Sequence, residues 1–568
     1  MFSLPNKTTV TALIIANWQS ALTVALISVP LSIALSIASG AGPLPGLITG
    51  IWGTLIGSMF IGSNYNIVGA AGALTTVLFS ATLVAPLALG AAILPILALT
   101  TGVIIFVVWL LKLDRFLYYI PSSVMYGFAA GVAVLIAASQ LFDATGLSAL
   151  KRTGYLIGDV EKFVANTNLV HTPSLVLFAI FLAGILVWKR NIKKIPAVIP
   201  AAIIGIVFGA IEANKLGFGI ISLQDKFGNF SATLSLPVAW EAIPTLLGDM
   251  SALMWTLSIS GTIALIAVLE TLITAKLGDK LTRTESSASR ELLGLSLANL
   301  GSGLMGGLPA TGVFIRTGAN IKAGATHRTS GIIAALLTGV IALIALPFFS
   351  FLPMPVIAAI LVNTALGLLE FDKFAEFWKQ ERASFFVAIL VALVTIFHDA
   401  GLGVALGAIA ALLIFASKVA HGRFDLTWNF TDGTIEKVYS GRNLTLPSHD
   451  KKIAIASYSI AGNLGYIDAG RHLNNLKILA ASPRVPAVII RLRDLFSIDF
   501  EGTEALAEAI HELRAKHTKV VVSSLAPDIE AELVTSPIFA TLKTDGLFTQ
   551  KTSDALTKLG QSNEETNR

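Results

Sequence analysis

An α-helical membrane protein with fourteen spans, followed by a small cytoplasmic α/β domain, is the fold class this sequence predicts. Three observations carry that reading. Hydrophobic residues make up 54% of the chain and charged residues only 13%, with a mean hydropathy of +0.76. A soluble domain carries about a quarter charged residues, so the solvent implied is lipid. Between Lys7 and Lys112 no Asp, Glu, Lys, Arg or His occurs, a run that holds about four crossings at roughly 20 residues each. After Ser417 the composition turns polar and acquires the alternation of a soluble fold.

Apolar segments bounded by Gly, Pro or charge fall near 20–38, 44–61, 67–85, 90–111, 121–141, 173–188 and 195–212, then near 255–276, 291–306, 310–324, 329–350, 353–369, 383–397 and 400–417. Several are shorter than a full crossing. The pair 291–306 and 310–324 is split by Gly306-Gly307-Leu308-Pro309, as expected of a broken or re-entrant pair. Basic residues set the orientation. Lys112/Arg115, Lys189/Arg190/Lys193/Lys194, Lys276/Lys280/Arg283/Arg290, Lys322/Arg328, Lys373/Lys379/Arg382 and Lys418/Arg423 all fall on the cytoplasmic side if the N-terminus does. Lys151/Arg152 and Lys215/Lys226 fall in long outer loops that also carry acidic residues. The first residues lack the charged region and cleavage site of a secretory signal, so the first span is expected to be retained.

The domain boundaries read as 1–420 for the membrane part, 421–450 for a polar linker, 451–560 for the soluble domain and 561–568 for a disordered tail. Within the soluble domain, the stretches from Ile453, Ala487 and Lys519 are strand-like and Gly502 to His517 reads as an amphipathic helix. No cysteine occurs, which excludes disulfides, thiolate metal sites and cysteine nucleophiles. No phosphate-binding loop, catalytic triad or zinc spacing is present. The sequence therefore predicts no enzyme activity, no cofactor and no nucleic-acid partner.

Two charges stand inside apolar spans, Glu270 and Arg316. An ionised side chain at membrane depth costs at least roughly 2.5–3.5 kcal/mol, so it is expected to face a partner or a water-filled cavity. Arg316 would supply positive potential to an anion, with Glu270 balancing it or carrying a proton; the alternative is an Arg–Glu pair that only holds two helices in register. Gly69-Ala-Ala-Gly-Ala opens the third span and Pro309-Ala-Thr-Gly the tenth. Broken helices there would present unpaired amides and positive dipole ends, at the matching positions an inverted repeat brings together at midplane. The alternative is that the small residues serve close packing. In the first span Ser28, Ser32 and Ser36 form one hydroxyl stripe, which either lines a polar path or bonds its own helix carbonyls.

At these residues the chain resembles the sulfate permease (SulP) family of anion transporters and exchangers. The resemblance rests on Val29-Pro30 with Ala38-Ser-Gly-Ala, on Gly62-Ser-Asn-Tyr-Asn-Ile-Val-Gly-Ala-Ala-Gly-Ala and on Ile120-Pro-Ser-Ser-Val-Met-Tyr-Gly-Phe-Ala-Ala-Gly. The run from Glu270 to Arg316 adds Arg290-Glu-Leu, Leu297-Ala-Asn, Ser302-Gly-Leu, Gly306-Gly-Leu-Pro-Ala-Thr-Gly and Arg316-Thr. The soluble domain looks like the STAS domain of this family. The resemblance implies a seven-plus-seven inverted repeat, a core domain moving against a gate domain, a homodimer, and an anion held between the third and tenth half-helices. The candidate substrate-binding residues are Ser28, Ser32, Ala70, Ala71, Gly72, Ala73, Thr311, Gly312, Val313, Phe314, Ile315 and Arg316, with Glu270 as the coupling residue. The expected partners are a small inorganic or organic anion (sulfate, bicarbonate or a dicarboxylate), a coupling proton, the bilayer of the inner membrane and a second copy.

Two departures bear on coupling. Sodium-coupled bicarbonate members carry Thr where Ala71 stands and lack the arginine that is Arg316 here. Arg316 is thus expected to replace bound sodium, leaving proton coupling through Glu270, or exchange. The alternatives are a sodium-dependent bicarbonate symporter and an anion channel on the same fold. In the soluble domain, Asp499-Phe-Glu-Gly places Glu501 where relatives carry a phosphorylatable hydroxyl; it is read as a helix cap or a regulatory charge.

Overall fold

The chain forms two units, residues 1–411 and 412–568. The structure, a computed structural model, describes residues 7–85, 93–113, 121–192, 195–228, 233–235, 242–398, 400–420, 423–439, 444, 446–447 and 451–565. Arg115, Lys193 and Lys194 of the basic clusters lie outside them.

The first unit begins with α1 (Lys7–Ala38), α2 (Pro43–Ile48) and α3 (Thr54–Phe60), the last two joined through one π-turn at 49–53. There follow β1 (Val68–Gly69), α4 (Gly72–Val84), α5 (Ile93–Leu110), α6 (Ser122–Ser139), α7 (Leu141–Ala144), α8 (Leu156–Ala165), α9 (Thr172–Asn191) and α10 (Val198–Ile211). A second series runs α11 (Leu223–Phe227), α12 (Ala242–Gly248), α13 (Met250–Thr282), α14 (Ala288–Leu304), β2 (Thr311–Gly312), α15 (Phe314–Lys322), α16 (Thr329–Phe349), α17 (Met354–Leu368), α18 (Phe371–Gln380), α19 (Arg382–Phe397) and α20 (Ala400–Ala420). Each apolar segment read from the sequence coincides with helix in this series, α2 and α3 together making one. Among the described residues, 9 helices are long and apolar enough to cross a membrane, and Gly72–Val84, Val198–Ile211 and Arg382–Phe397 are shorter apolar helices.

Lipid explains the surface these helices present. Ile203 on α10 is 57% exposed and Ile344 on α16 is 69% exposed; such side chains need no covering when hydrocarbon is the solvent. Between helices the contacts are tight and small. A Cβ on Gly127 of α6 would lie 2.3 Å from the Ala388 carbonyl oxygen of α19, the close approach by which membrane helices gain dispersion energy without a hydrophobic effect.

The broken stretch between α14 and α15 leaves backbone groups that no helix satisfies, and side chains take them up. The Leu308 amide donates to Thr49 Oγ1 at 2.6 Å, and Ser302 Oγ donates to the Leu308 carbonyl at 2.6 Å. The Asn299 amide group holds both backbone groups of Ala310, at 2.9 and 2.8 Å. Glycine at 306 is required by its φ of +82°.

The second unit is a six-stranded sheet in the order β4-β3-β5-β6-β7-β8. Its strands are β3 (Arg423–Phe430), β4 (Ile435–Tyr439), β5 (Ile453–Leu464), β6 (Ala487–Ile498), β7 (Lys519–Ser523) and β8 (Phe548–Thr549). The β3–β4 hairpin is antiparallel and joins β5 antiparallel, while β5 to β8 run parallel. This corrects the expected linker at 421–450. Phe424, Leu426, Trp428 and Phe430 alternate inward and are all buried in the main core of the unit, so the domain starts at β3. Helices α21 (Tyr466–Ala481), α22 (Phe500–Ala515), α23 (Pro527–Leu533) and α24 (Pro537–Thr544) complete that core. The final helix, α25 (Thr552–Glu565), buries Ala555 and Leu559 against Ile455, Ile489 and Val521. Helix therefore extends through Glu565 into the expected disordered tail, and residues 566–568 lie outside the described residues.

The cap of α22 is Asp499, not Glu501. Its carboxylate accepts from the Gly502 amide and, across to α21, from the Tyr466 amide, each at 2.8 Å; Glu501 is exposed in the first turn.

Beneath this surface Asp468, His472, Asn475 and Tyr458 form a buried polar cluster. Burial opposes ionisation of Asp468, but hydrogen bonds from His472 and Arg471 outweigh it and hold the carboxyl below its ordinary value. A carboxylate depressed on folding stabilises the fold above its unfolded pKa, and that contribution is lost as pH falls through the folded value. In a variant of the full chain that keeps Trp428 as its only tryptophan, the melting temperature of this unit is expected to drop below about pH 4. Asp468→Asn should lower it at neutral pH and flatten that acid limb; an unchanged limb would remove Asp468 from the account.

Candidate functional site

The two short strands are the centre of the first unit. Val68 pairs with Gly312 and Gly69 with Thr311, antiparallel. Each strand leads into a half-helix, β1 into α4 and β2 into α15. Neither N-cap residue, Ala71 before α4 nor Val313 before α15, offers a side-chain cap. The first-turn amides of both helices thus keep the capacity to bind an anion that N-termini possess. Ala70, Ala71, Ala73, Thr311 and Val313 are buried here, as are Gly72 and Gly312, while Phe314 and Ile315 are partly exposed.

Arg316, in the first turn of α15, is 0% exposed. Its Nη2 donates to Ser32 Oγ of α1 at 2.8 Å, and its Nε and Nη1 have no hydrogen-bond partner. Nη1 packs against Gly69, 2.4 Å from where a Cβ would stand. A buried guanidinium with unused donors is costly unless a counter-charge or acceptor completes it. The serine stripe divides by role. Ser32 holds the guanidinium; Ser28 is buried one turn earlier without a bond to it. Ser36 donates to the Gly42 carbonyl and accepts from the Gly46 amide, which is a structural use.

Glu270 does not pair with Arg316. It is part-buried on α13, where its Oε2 accepts from Thr311 Oγ1 at 2.6 Å. Thr274 Oγ1 and Thr311 Oγ1 both lie 3.2 Å from the Gly312 carbonyl, so oxygens of α13 and β2 gather beside that carboxylate. The expected alternative of an Arg–Glu register pair is therefore not what the fold builds.

The scaffold that aims these groups was not legible in the sequence. Asn66 Nδ2 donates to Glu291 Oε2 at 3.0 Å and to the Thr271 carbonyl at 3.2 Å, while its Oδ1 accepts from Thr317 Oγ1 at 3.2 Å. The Ser63 amide donates to Glu291 Oε1 at 2.6 Å, the Ile67 amide to Thr317 Oγ1 at 3.0 Å and the Gly312 amide to Thr271 Oγ1 at 2.8 Å. Glu291 is 0% exposed, a third interior charge that stands beside Arg290 at the edge of its segment and so reads as interfacial.

Residues 14–391 match the model of the sulfate permease family. The chain is 26% identical over 536 residues to sulfate transporter 4.1, chloroplastic, of Arabidopsis thaliana, covering 91% of this chain and 76% of that one. It is 25% identical over 410 residues to the bicarbonate transporter BicA of a Picosynechococcus species, 70% of each. The fold of SLC26A9 superposes with a TM-score of 0.74 at 15% identity, over 98% of this chain and 92% of that one. With a polytopic helical fold, facing half-helices and a family match across most of its length, this chain is a multi-pass membrane transporter rather than an enzyme, and it belongs to the sulfate permease family.

Proposed function

We propose that this protein is a secondary carrier that moves a small anion across the membrane by alternating access, coupled to protons or working by exchange. The observation that carries the reading is Arg316, wholly buried between Ser32 and Gly69 with two donors unpaired, beside two uncapped helix N-termini. An anion seated there would complete the guanidinium and face both dipole ends. Sulfate, bicarbonate and dicarboxylates share that chemistry. The proposal has the N-terminus and the second unit, read as a STAS domain, on the cytoplasmic side of the inner membrane, a sidedness the basic clusters support. Fourteen crossings in two inverted halves and a homodimer complete the proposal.

Counterflow uptake of labelled sulfate, bicarbonate and fumarate into proteoliposomes tests it, with and without a pH gradient and with and without sodium. Saturable uptake of one anion, accelerated by trans-side anion, is expected; ohmic currents instead would make it a channel. A sodium-dependent mechanism is the second reading, favoured by the oxygens of Thr274, Thr311 and Gly312 around Glu270, and a steep rise with sodium would establish it. Under the proton reading, Glu270→Gln should abolish stimulation by an inward proton gradient while trans-stimulated counterflow persists. Gradient stimulation that survives the substitution would exclude Glu270 as the coupling group.

A further inference from the structure

A cavity of about 340 Å³ lies beside α4 and the C-terminal ends of α6 and α19, roofed by the segment that runs from Arg152 into the first turn of α8 at Asp159. Thr76, Ser80, Thr395 and His398 contribute its other polar lining. Two charged residues stand at its wall, Arg152 and Asp159, and the arginine is only loosely engaged. Arg152 donates from Nη1 to the Ala38 carbonyl at a long 3.3 Å, and its Nε has no hydrogen-bond partner. Of the five N–H donors of a guanidinium, the Nη1 bond to Ala38 and the ion pair of Nε with Asp159 engage two. Asp159 Oδ2 forms a long ion pair with Nε at 3.6 Å, while its Oδ1 accepts from the Thr153 amide and hydroxyl at 2.6 and 2.8 Å. The Phe79 ring lies 3.8 Å beneath Cζ and fixes the plane of the fork. A planar cation held over a cavity by one long hydrogen bond and one long ion pair keeps donors to offer a small oxyanion in competition with Asp159.

The floor of the cavity is α4 itself. Thr76 stands four residues past Gly72, roughly 6 Å along the helix. At the N-terminus of α4 packs Ile136 of α6, 0% exposed, whose Cδ1 is 2.8 Å from where a Cβ on Gly72 would stand. Its neighbour Leu135 lines the cavity. Ile136 thus packs against the N-terminus of α4 next to a residue that lines the cavity.

We propose that this cavity is a second anion-binding site on the transport path, with Arg152 as its recognition residue and Ile136 as the apolar septum dividing it from the Arg316 site. The proposal rests on reading the chain as an anion carrier. With the orientation given above, the cavity faces outward and receives the anion before the central site does.

Initial uptake rates in right-side-out proteoliposomes, using the anion found in counterflow, test it. Arg152→Gln is expected to raise the half-saturating anion concentration about tenfold with a maximal rate within about twofold of the unsubstituted protein. Asp159→Asn breaks the same ion pair but frees the guanidinium, and is expected to lower the half-saturating concentration. A rise of equal size in both variants would show that the pair only braces the loop, and no change in Arg152→Gln would leave the site without its recognition residue; either overturns the proposal. Ile136→Gly is expected to increase anion leak in the absence of trans-side anion, and an unaltered leak would remove the septum. Failure of the carrier reading looks different: uptake is then absent from the unsubstituted protein or indifferent to Arg316→Gln.

Discussion

Arg316→Gln is expected to abolish saturable anion uptake at any practical concentration while leaving the protein folded and inserted. The glutamine removes the positive charge of Arg316 from the junction of β1, β2 and the two half-helices, yet it can still donate to Ser32, which Arg316 meets at 2.8 Å. Losing one side of a buried, charge-assisted contact to a bound anion costs about 2–5 kcal/mol, which is roughly a 30-fold or greater loss of affinity. The burial of a charge is relieved at the same time, so thermal stability should hold or rise. Arg316→Lys should recover part of the affinity, because the charge returns without the planar fork. Anion binding followed by isothermal titration, alongside a melting curve, separates the two effects. Undiminished affinity in the glutamine variant would move the substrate site elsewhere.

Gly69→Ala is the second large effect expected. The added methyl group would stand 2.4 Å from Arg316 Nη1 and 3.5 Å from Thr54 Oγ1. Thr54, whose hydroxyl donates to the Val68 carbonyl at 2.5 Å, is at an ordinary contact distance, so the clash falls on Nη1. The guanidinium must therefore swing out of its place or the β1–β2 pairing must open. A displacement of about 1 Å at a binding centre is worth on the order of a hundredfold in rate. Transport should fall by that order, and combining Gly69→Ala with Arg316→Gln should add little to the arginine substitution alone. Gly184→Ala on α9 is the matched control, because nothing lies within 4 Å of the methyl group it introduces. Equal losses at Gly69 and Gly184 would mean the effect is general to adding a methyl group at a glycine of this unit and not a clash with Arg316.

The membrane part was legible in the sequence because lipid removes most alternatives. A backbone that cannot bond to water must be helical, so each apolar segment could be assigned before any packing was known, and Gly69 and Pro309 marked where helix had to stop. The soluble unit was legible only in its regular middle. Strand β3 alternates Phe424, Leu426, Trp428 and Phe430 inward, yet in sequence it sits between a membrane helix and a polar stretch, and its role appears only when β5 pairs with it. Asp499 and Glu501 are equally plausible caps one position or another from the helix start; the Tyr466 amide, brought in from α21, settles which carboxylate is used.

The site divides the same way. Composition, hydropathy and helix breakers by themselves determined a polytopic transporter-like chain, its two interrupted spans and the presence of Arg316 at membrane depth. They could not say what Arg316 touches. Its partner Ser32 lies 284 residues away and Asn66 binds Glu291 from 225 residues away. Those pairings were decided by how α1, α14 and α15 pack. A hydrogen bond is made or lost within a few tenths of an ångström, whereas a hydrophobic pattern records only which face of a helix is apolar. Helix packing converts one into the other, and that step belongs to the tertiary structure.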